Sequence, residues 1–117
     1  PTVLFNITSG TDDLHAVTMA LQLAGHALDD KRQVLLFFNV KGVQIPVKSL
    51  DATLAFKDKP IKELLAALIR RGAEVHVCPH CLKALDIAGD QLVEGAVVTD
   101  RPGLLAHFRA NTLVFTY

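Results

Sequence analysis

The chain alternates short runs rich in apolar residues with longer segments whose apolar residues recur every three or four positions. The short runs are "TVLFNI" (2–7), "QVLLFFNV" (33–40), "AEVHVC" (73–78), "GAVVTD" (95–100) and "TLVFTY" (112–117). The first two, which carry few polar residues, fit strands buried on both faces, as in a parallel sheet. After the first run, Leu14, Val17, Leu21, Ala24 and Leu28 form one helical stripe, opened by Thr11, Asp12 and Asp13 as capping and dipole partners. "IKELLAALIRRG" (61–72) predicts a second helix, with Pro60 near its start, Arg70 and Arg71 in its last turn and Gly72 just past its end. "PHCLKALDI" (79–87) predicts a short third helix. "RPGLLAHFRA" (101–110) predicts a fourth, capped by Thr99 or Asp100.

Strict alternation of strand and helix is the pattern of a three-layer, doubly wound α/β fold, with right-handed crossovers placing helices on both faces. We expect one domain over 1–117 built on a five-stranded, mainly parallel sheet of order 2-1-3-4-5. In that order the sheet reverses direction between strands one and three, and ligands bind outside the carboxyl ends of the strands at such a reversal. Strand one runs out at Thr8, Ser9 and Gly10, and strand three at Cys78, so the cysteine falls at the expected site. The least regular stretch is 41–59, which holds Pro46 and many apolar residues without a period. Long connections of this kind are usually functional or in contact with a partner. The apolar excess of "GVQIPVKSLDATLAF" predicts packing against another subunit.

A length of 117 residues suits a single domain with its own core. A formal net charge of zero argues against a nucleic-acid footprint, which needs clustered Lys and Arg. No apolar run approaches the roughly 20 residues that span a bilayer. "PTVLFNIT" has no basic n-region, and its leading Pro1 is consistent with loss of an initiator Met. A cytoplasmic protein is expected, free of nucleic acid and membrane. In that compartment two cysteines are reduced, catalytic or metal-bound more often than bridged. "TSGTDD" resembles an anion-holding turn but lacks both G-x-G-x-x-G and a Walker lysine, so no nucleotide and no other cofactor is expected.

The chemistry concentrates in "VHVCPHCLKAL" (75–85). Cys78 is read as the last residue before a helix, with Pro79 in the favoured first helical position. Free amides and the positive end of the helix would then face its sulfur. Such settings lower a thiol pKa from about 8.5 into the range of roughly 3.5–7.5. Cys81 lies one turn on, placed to trap an oxidised or persulfidated Cys78 as a disulfide, and His80 between them adds positive charge. Asn39 and Lys41 end strand two near the same edge, Lys41 as an attractor for an anionic sulfur donor. Thr8, Ser9 and Gly10 line the crevice. The bland reading is that Cys78 is a small buried residue, as free cysteines often are.

Two other chemistries compete. Cys-Pro-His-Cys is similar to the motif of a periplasmic thiol oxidase, but thioredoxin-type folds need antiparallel strands and a long remainder after the motif. Structural zinc needs four ligands, usually from paired motifs, and the chain offers one cysteine pair. His76 stands about 6–7 Å back along the strand from Cys78, a poor chelating position. It reads as a core or interface histidine. His15, His26 and His107 form no ligand pair in the sequence, so no metal is expected.

"SGTDDLHAVTMALQLA", "VLLFFNVKGVQIPVKSL" and above all "IKELLAALIRRGAEVHVCPHCLKALDIAGDQLVEGAVVTD" resemble the DsrE/DsrF-like (YchN-like) sulfur-relay family over almost the whole chain. The resemblance implies a small flavodoxin-like α/β protein that assembles as trimers or hexamers. It also implies a persulfide-carrying cysteine at the end of strand three, here Cys78, passing sulfur between donor and acceptor proteins. Cys81 is a departure from the relay subunits. Together these give the expectation of a homotrimeric or homohexameric sulfur carrier that uses Cys78 with Cys81 assisting. The alternatives are a non-enzymatic oligomeric scaffold and a CxxC thiol–disulfide oxidoreductase.

Overall fold

The computed structural model describes residues 2–108 and 111–117. Its strands are β1 (Thr2–Ile7), β2 (Gln33–Phe38), β3 (Glu74–Val77), β4 (Ala96–Val98) and β5 (Thr112–Thr116). Its helices are α1 (Leu14–Asp29), α2 (Ile61–Arg70), α3 (Pro79–Ala84) and α4 (Arg101–Leu105), with a 3₁₀ turn over Val40–Gln44. Every strand pairing is parallel. The expected five-stranded α/β sheet is therefore present.

The strand order is β4-β3-β2-β1-β5, not 2-1-3-4-5. Each of the first three crossovers steps the same way across the sheet, and only the last returns past β1. Right-handed crossovers that step one way put their helices on one face, and a reversed step puts its helix on the other. Accordingly α1 packs against α2, whereas Leu104 and Phe108 of the α4 segment meet Leu4, Phe37 and Val114 on the opposite face. The reversal thus lies between β1 and β5. Cys78 sits beside β2 instead, away from the switch point.

The core fills the α1/α2 face. Val3, Phe5 and Ile7 of β1 and Val34, Leu36 and Phe38 of β2 are buried beneath Val17, Ala20, Leu21 and Ala24 of α1, with Ile61, Leu65 and Leu68 of α2. Full burial of each Val, Leu, Ile or Phe among them contributes about 1.5–3 kcal/mol. Asp13 caps α1 by accepting the Ala16 N–H at 3.0 Å, and Asp100 caps α4 by accepting the Gly103 N–H at 2.7 Å. Gly72 follows α2 with φ of 101°, a conformation that L side chains resist. β2 stops two residues earlier than the apolar run predicts, because Val40 turns the backbone with φ of 54°. Of the residues expected in the fourth helix, Arg109 and Ala110 lie outside the described residues, as does Pro1.

Much of the apolar excess of residues 41–59 is covered by the chain itself. Val43, Ile45, Val47 and Leu50 are buried in the chain's own core. The segment is tied down by a Val47–Leu92 bridge and by hydrogen bonds from Lys48 N–H to the Gln91 carbonyl (2.8 Å) and from Val93 N–H to the Pro46 carbonyl (2.9 Å). A fixed aperiodic strap buries apolar residues as well as a periodic element does. The exposed apolar surface lies elsewhere, on Val97, Val98, Leu105, Phe108, Leu113, Val114 and Phe115. Among the described residues, no helix is long and apolar enough to cross a membrane.

Candidate functional site

The carboxyl ends of β1, β2 and β3 form one ledge. Asn39 N–H donates to the Ile7 carbonyl (3.0 Å), and Cys78 N–H donates to the Phe38 carbonyl (3.0 Å). Two glycines let the backbones touch. A Cβ on Gly42 would collide with the Ile7 carbonyl oxygen, and one on Gly10 with the Lys41 carbonyl and the Gln44 side chain. Gln44 Oε1 in turn accepts from the Thr11 N–H (3.0 Å) and hydroxyl (3.2 Å), a lock that sequence reasoning missed.

Cys78 is extended (φ −69°, ψ 121°) and turns the chain from β3 into α3, with Pro79 following. Its carbonyl accepts the Leu82 N–H at 3.1 Å, the first bond of the helix. Cys81 points its sulfur back to the ledge, where Val40 N–H donates to Sγ at 3.1 Å. Both cysteines are free and half-buried. The Cys81 thiol is pushed above the usual range, first by burial and then by its bond to the Cys78 sulfur, with the Val40 amide pulling the other way. At neutral pH Cys81 is therefore a thiol beside Cys78.

One expectation needs correction here. No helix amide caps the Cys78 side chain, and α3 is only six residues long. The amide that does reach a sulfur comes from the turn after β2 and reaches Cys81.

The remaining predicted residues divide. Asn39 joins the ledge, its amide donating to Asn6 Oδ1. Lys41 lies on the ledge too, but its Nζ is held by Asp12 at 3.0 Å, and that bond keeps the exposed Asp12 carboxyl below its usual range. Gly10 is buried in the lock, and Ser9 is half-buried beside it. Thr8 turns to β5, donating its hydroxyl to the Tyr117 carbonyl at 2.8 Å. His80 is exposed in the first turn of α3. β2 therefore separates Thr8, Ser9 and Gly10 from the cysteine strand, an arrangement that follows from the observed strand order.

A second cluster was also missed. On the sheet face opposite α1 and α2, His76 Nδ1 lies 3.3 Å from Thr99 Oγ1 and its ring meets His107 edge-on, centroids 5.3 Å apart. His107 Nε2 is 3.6 Å from Glu74 Oε2. His107 does therefore have a histidine partner, contrary to expectation. Glu74 and His76, two apart on one strand and so on one face, were the available signal. His107 joins them only through the placement of α4.

A sequence model of the DsrE/DsrF-like family matches residues 2–115. The chain belongs to that family. Among solved structures it is similar to the YchN protein of E. coli, with a TM-score of 0.81 at 15% identity over 99% of this chain and 98% of that one. It is also similar to MTH1491 of Methanobacterium thermoautotrophicum, a protein of unknown function, with a TM-score of 0.73 at 16% identity over 99% and 98%. The search of curated proteins gives no match. At these identities the two structures share the DsrE-like fold with this chain. Its chemistry has to be argued from its own residues.

Proposed function

We propose that this DsrE-like protein is a cytoplasmic sulfur carrier in which Cys78 holds sulfane sulfur as a persulfide and Cys81 assists. The observation that carries the reading is the pairing of two free thiols at the end of β3, one of them, Cys81, held protonated against the other. In the loading step the Cys78 thiolate attacks the outer sulfur of a donor persulfide. The donor S–S bond breaks, the donor leaves as a thiolate, and Cys78–S–SH forms without net oxidation. In the unloading step an acceptor thiolate attacks that outer sulfur and Cys78 thiolate departs. Cys81 donates a hydrogen bond to the Cys78 sulfur while it is a thiol. As a thiolate it attacks the inner sulfur, expelling hydrosulfide and leaving a Cys78–Cys81 disulfide that an external thiol must reduce. The wholly parallel sheet sets this site apart from thioredoxin-type oxidoreductases, which share only the CxxC spacing.

The proposal includes self-assembly as a homotrimer or homohexamer, with sulfur donor and acceptor proteins as transient partners. Its support is the apolar surface left open on β4, α4 and β5, since unpaired apolar edges favour association with another chain. Incubation with a small-molecule persulfide donor, followed by intact mass measurement, tests the chemistry. One added sulfur, about 32 Da, is expected on the wild type and on Cys81→Ser but not on Cys78→Ser. Retention of the added mass in Cys78→Ser, or its absence from the wild type, overturns the reading.

A further inference from the structure

We propose that Glu74, His76 and His107 form a binding site for a first-row divalent cation of the zinc class, where β3 meets the segment after α4. The three side chains offer one ligand atom each, and all three atoms lie within 4.8 Å of one another. With metal–ligand bonds of about 2.0–2.2 Å, ligand atoms of a tetrahedral site stand roughly 3.4 Å apart. The His107–Glu74 pair, at 3.6 Å, already meets this separation. Glu74 is exposed and free to swing the remaining distance. Two imidazoles and a carboxylate suit zinc or ferrous iron rather than calcium or magnesium.

The surroundings prepare the site. The Thr99 hydroxyl donates to the Asp100 carbonyl at 3.2 Å, so its oxygen is left to accept Nδ1–H of His76 at 3.3 Å. In the tautomer with hydrogen on Nδ1, that bond leaves the lone pair on Nε2, as metal-bound histidines are commonly oriented. A cavity of about 360 Å³, lined by Glu74 and His107, opens beside the trio. Arg32 and Arg71 line the same cavity, but each is held by an aspartate, Asp30 at 2.8 Å and Asp29 at 2.5 Å. Three protein ligands leave at least one coordination position for water or a small anion. The site joins β3 to the segment after α4, so a bound ion would pin that segment to the sheet.

The inference is independent of the sulfur chemistry and is tested with the thiols removed. The full chain carrying Cys78→Ser and Cys81→Ser is titrated with CoCl₂ and followed by its visible d–d absorption, then challenged with ZnCl₂. One Co²⁺ per chain, displaced by Zn²⁺ and free of thiolate charge-transfer bands, is the expected result. Glu74→Gln, at an exposed position, and His107→Gln should each weaken binding at least about tenfold while circular dichroism stays unchanged. Loss of Co²⁺ binding on removing the cysteines overturns the proposal. Undiminished affinity in both Glu74→Gln and His107→Gln does so too, as does an absence of d–d bands at millimolar Co²⁺.

Discussion

The central and edge strands of this sheet differ sharply. β1 and β2 are sealed, with Phe5, Ile7, Leu35, Leu36 and Phe38 each 0% exposed, whereas Val97 of β4 is 52% exposed and Val114 of β5 is 58% exposed. Apolar content alone does not foretell this, since the edge run "TLVFTY" is as rich in Val, Leu and Phe as the central run "TVLFNI". Position in the sheet decides it: α1 and α2 cover the middle, and the short α4 covers little of the other face. The centre supplies the folding energy, and the edges leave apolar surface exposed.

Substitutions can break this contrast. The largest effect belongs to the centre. Phe5→Ala removes a ring buried beneath α1 and stacked on Phe115 at 5.8 Å, and should cost about 3–5 kcal/mol in chemical denaturation. Gly42→Ala drives a methyl group into the Ile7 carbonyl and should cost about 1–3 kcal/mol by the same measurement. At the edge, Val114→Lys should shift stability by no more than about 0.5 kcal/mol. It should nonetheless lower the mass seen by light scattering, and an unchanged mass would remove β5 from the assembly surface. The smallest effect is at Cys81. Its folded-state pKa is raised, so the stability it contributes is fully present below the unfolded thiol value, about 8.5, and is lost only as pH rises through the folded value. The denaturation midpoint should therefore not shift on its account between about pH 7 and 8, and alkylation mapped by peptide mass should mark Cys78 before Cys81 in that window.

The sequence showed what is local. Periodicity located β1, α1, β2 and α2, and Gly72 marked the end of α2, because spacing, capping and left-handed backbone act over a few residues. Cys78 at the end of β3 was legible for the same reason. Strand order was not. Alternation fixes the hand of each crossover but leaves open which way it steps, and Thr8 was consequently placed beside the cysteine strand when it pairs with Tyr117. That the strap over 41–59 buries Val43, Ile45 and Val47 in the chain's own core was not legible, because aperiodic burial leaves no pattern to read. Val40 escaped notice since nothing in a valine announces a positive φ, and His107 since its neighbours are set by tertiary placement alone.

The interlocked glycines have a mechanical consequence. Gly10 against Lys41 and Gly42 against Ile7 leave the ledge no slack, because backbone meets backbone with nothing compressible between them. Against this ledge the Val40 N–H holds Cys81 Sγ at 3.1 Å. The two thiols therefore rest against a wall that cannot give way.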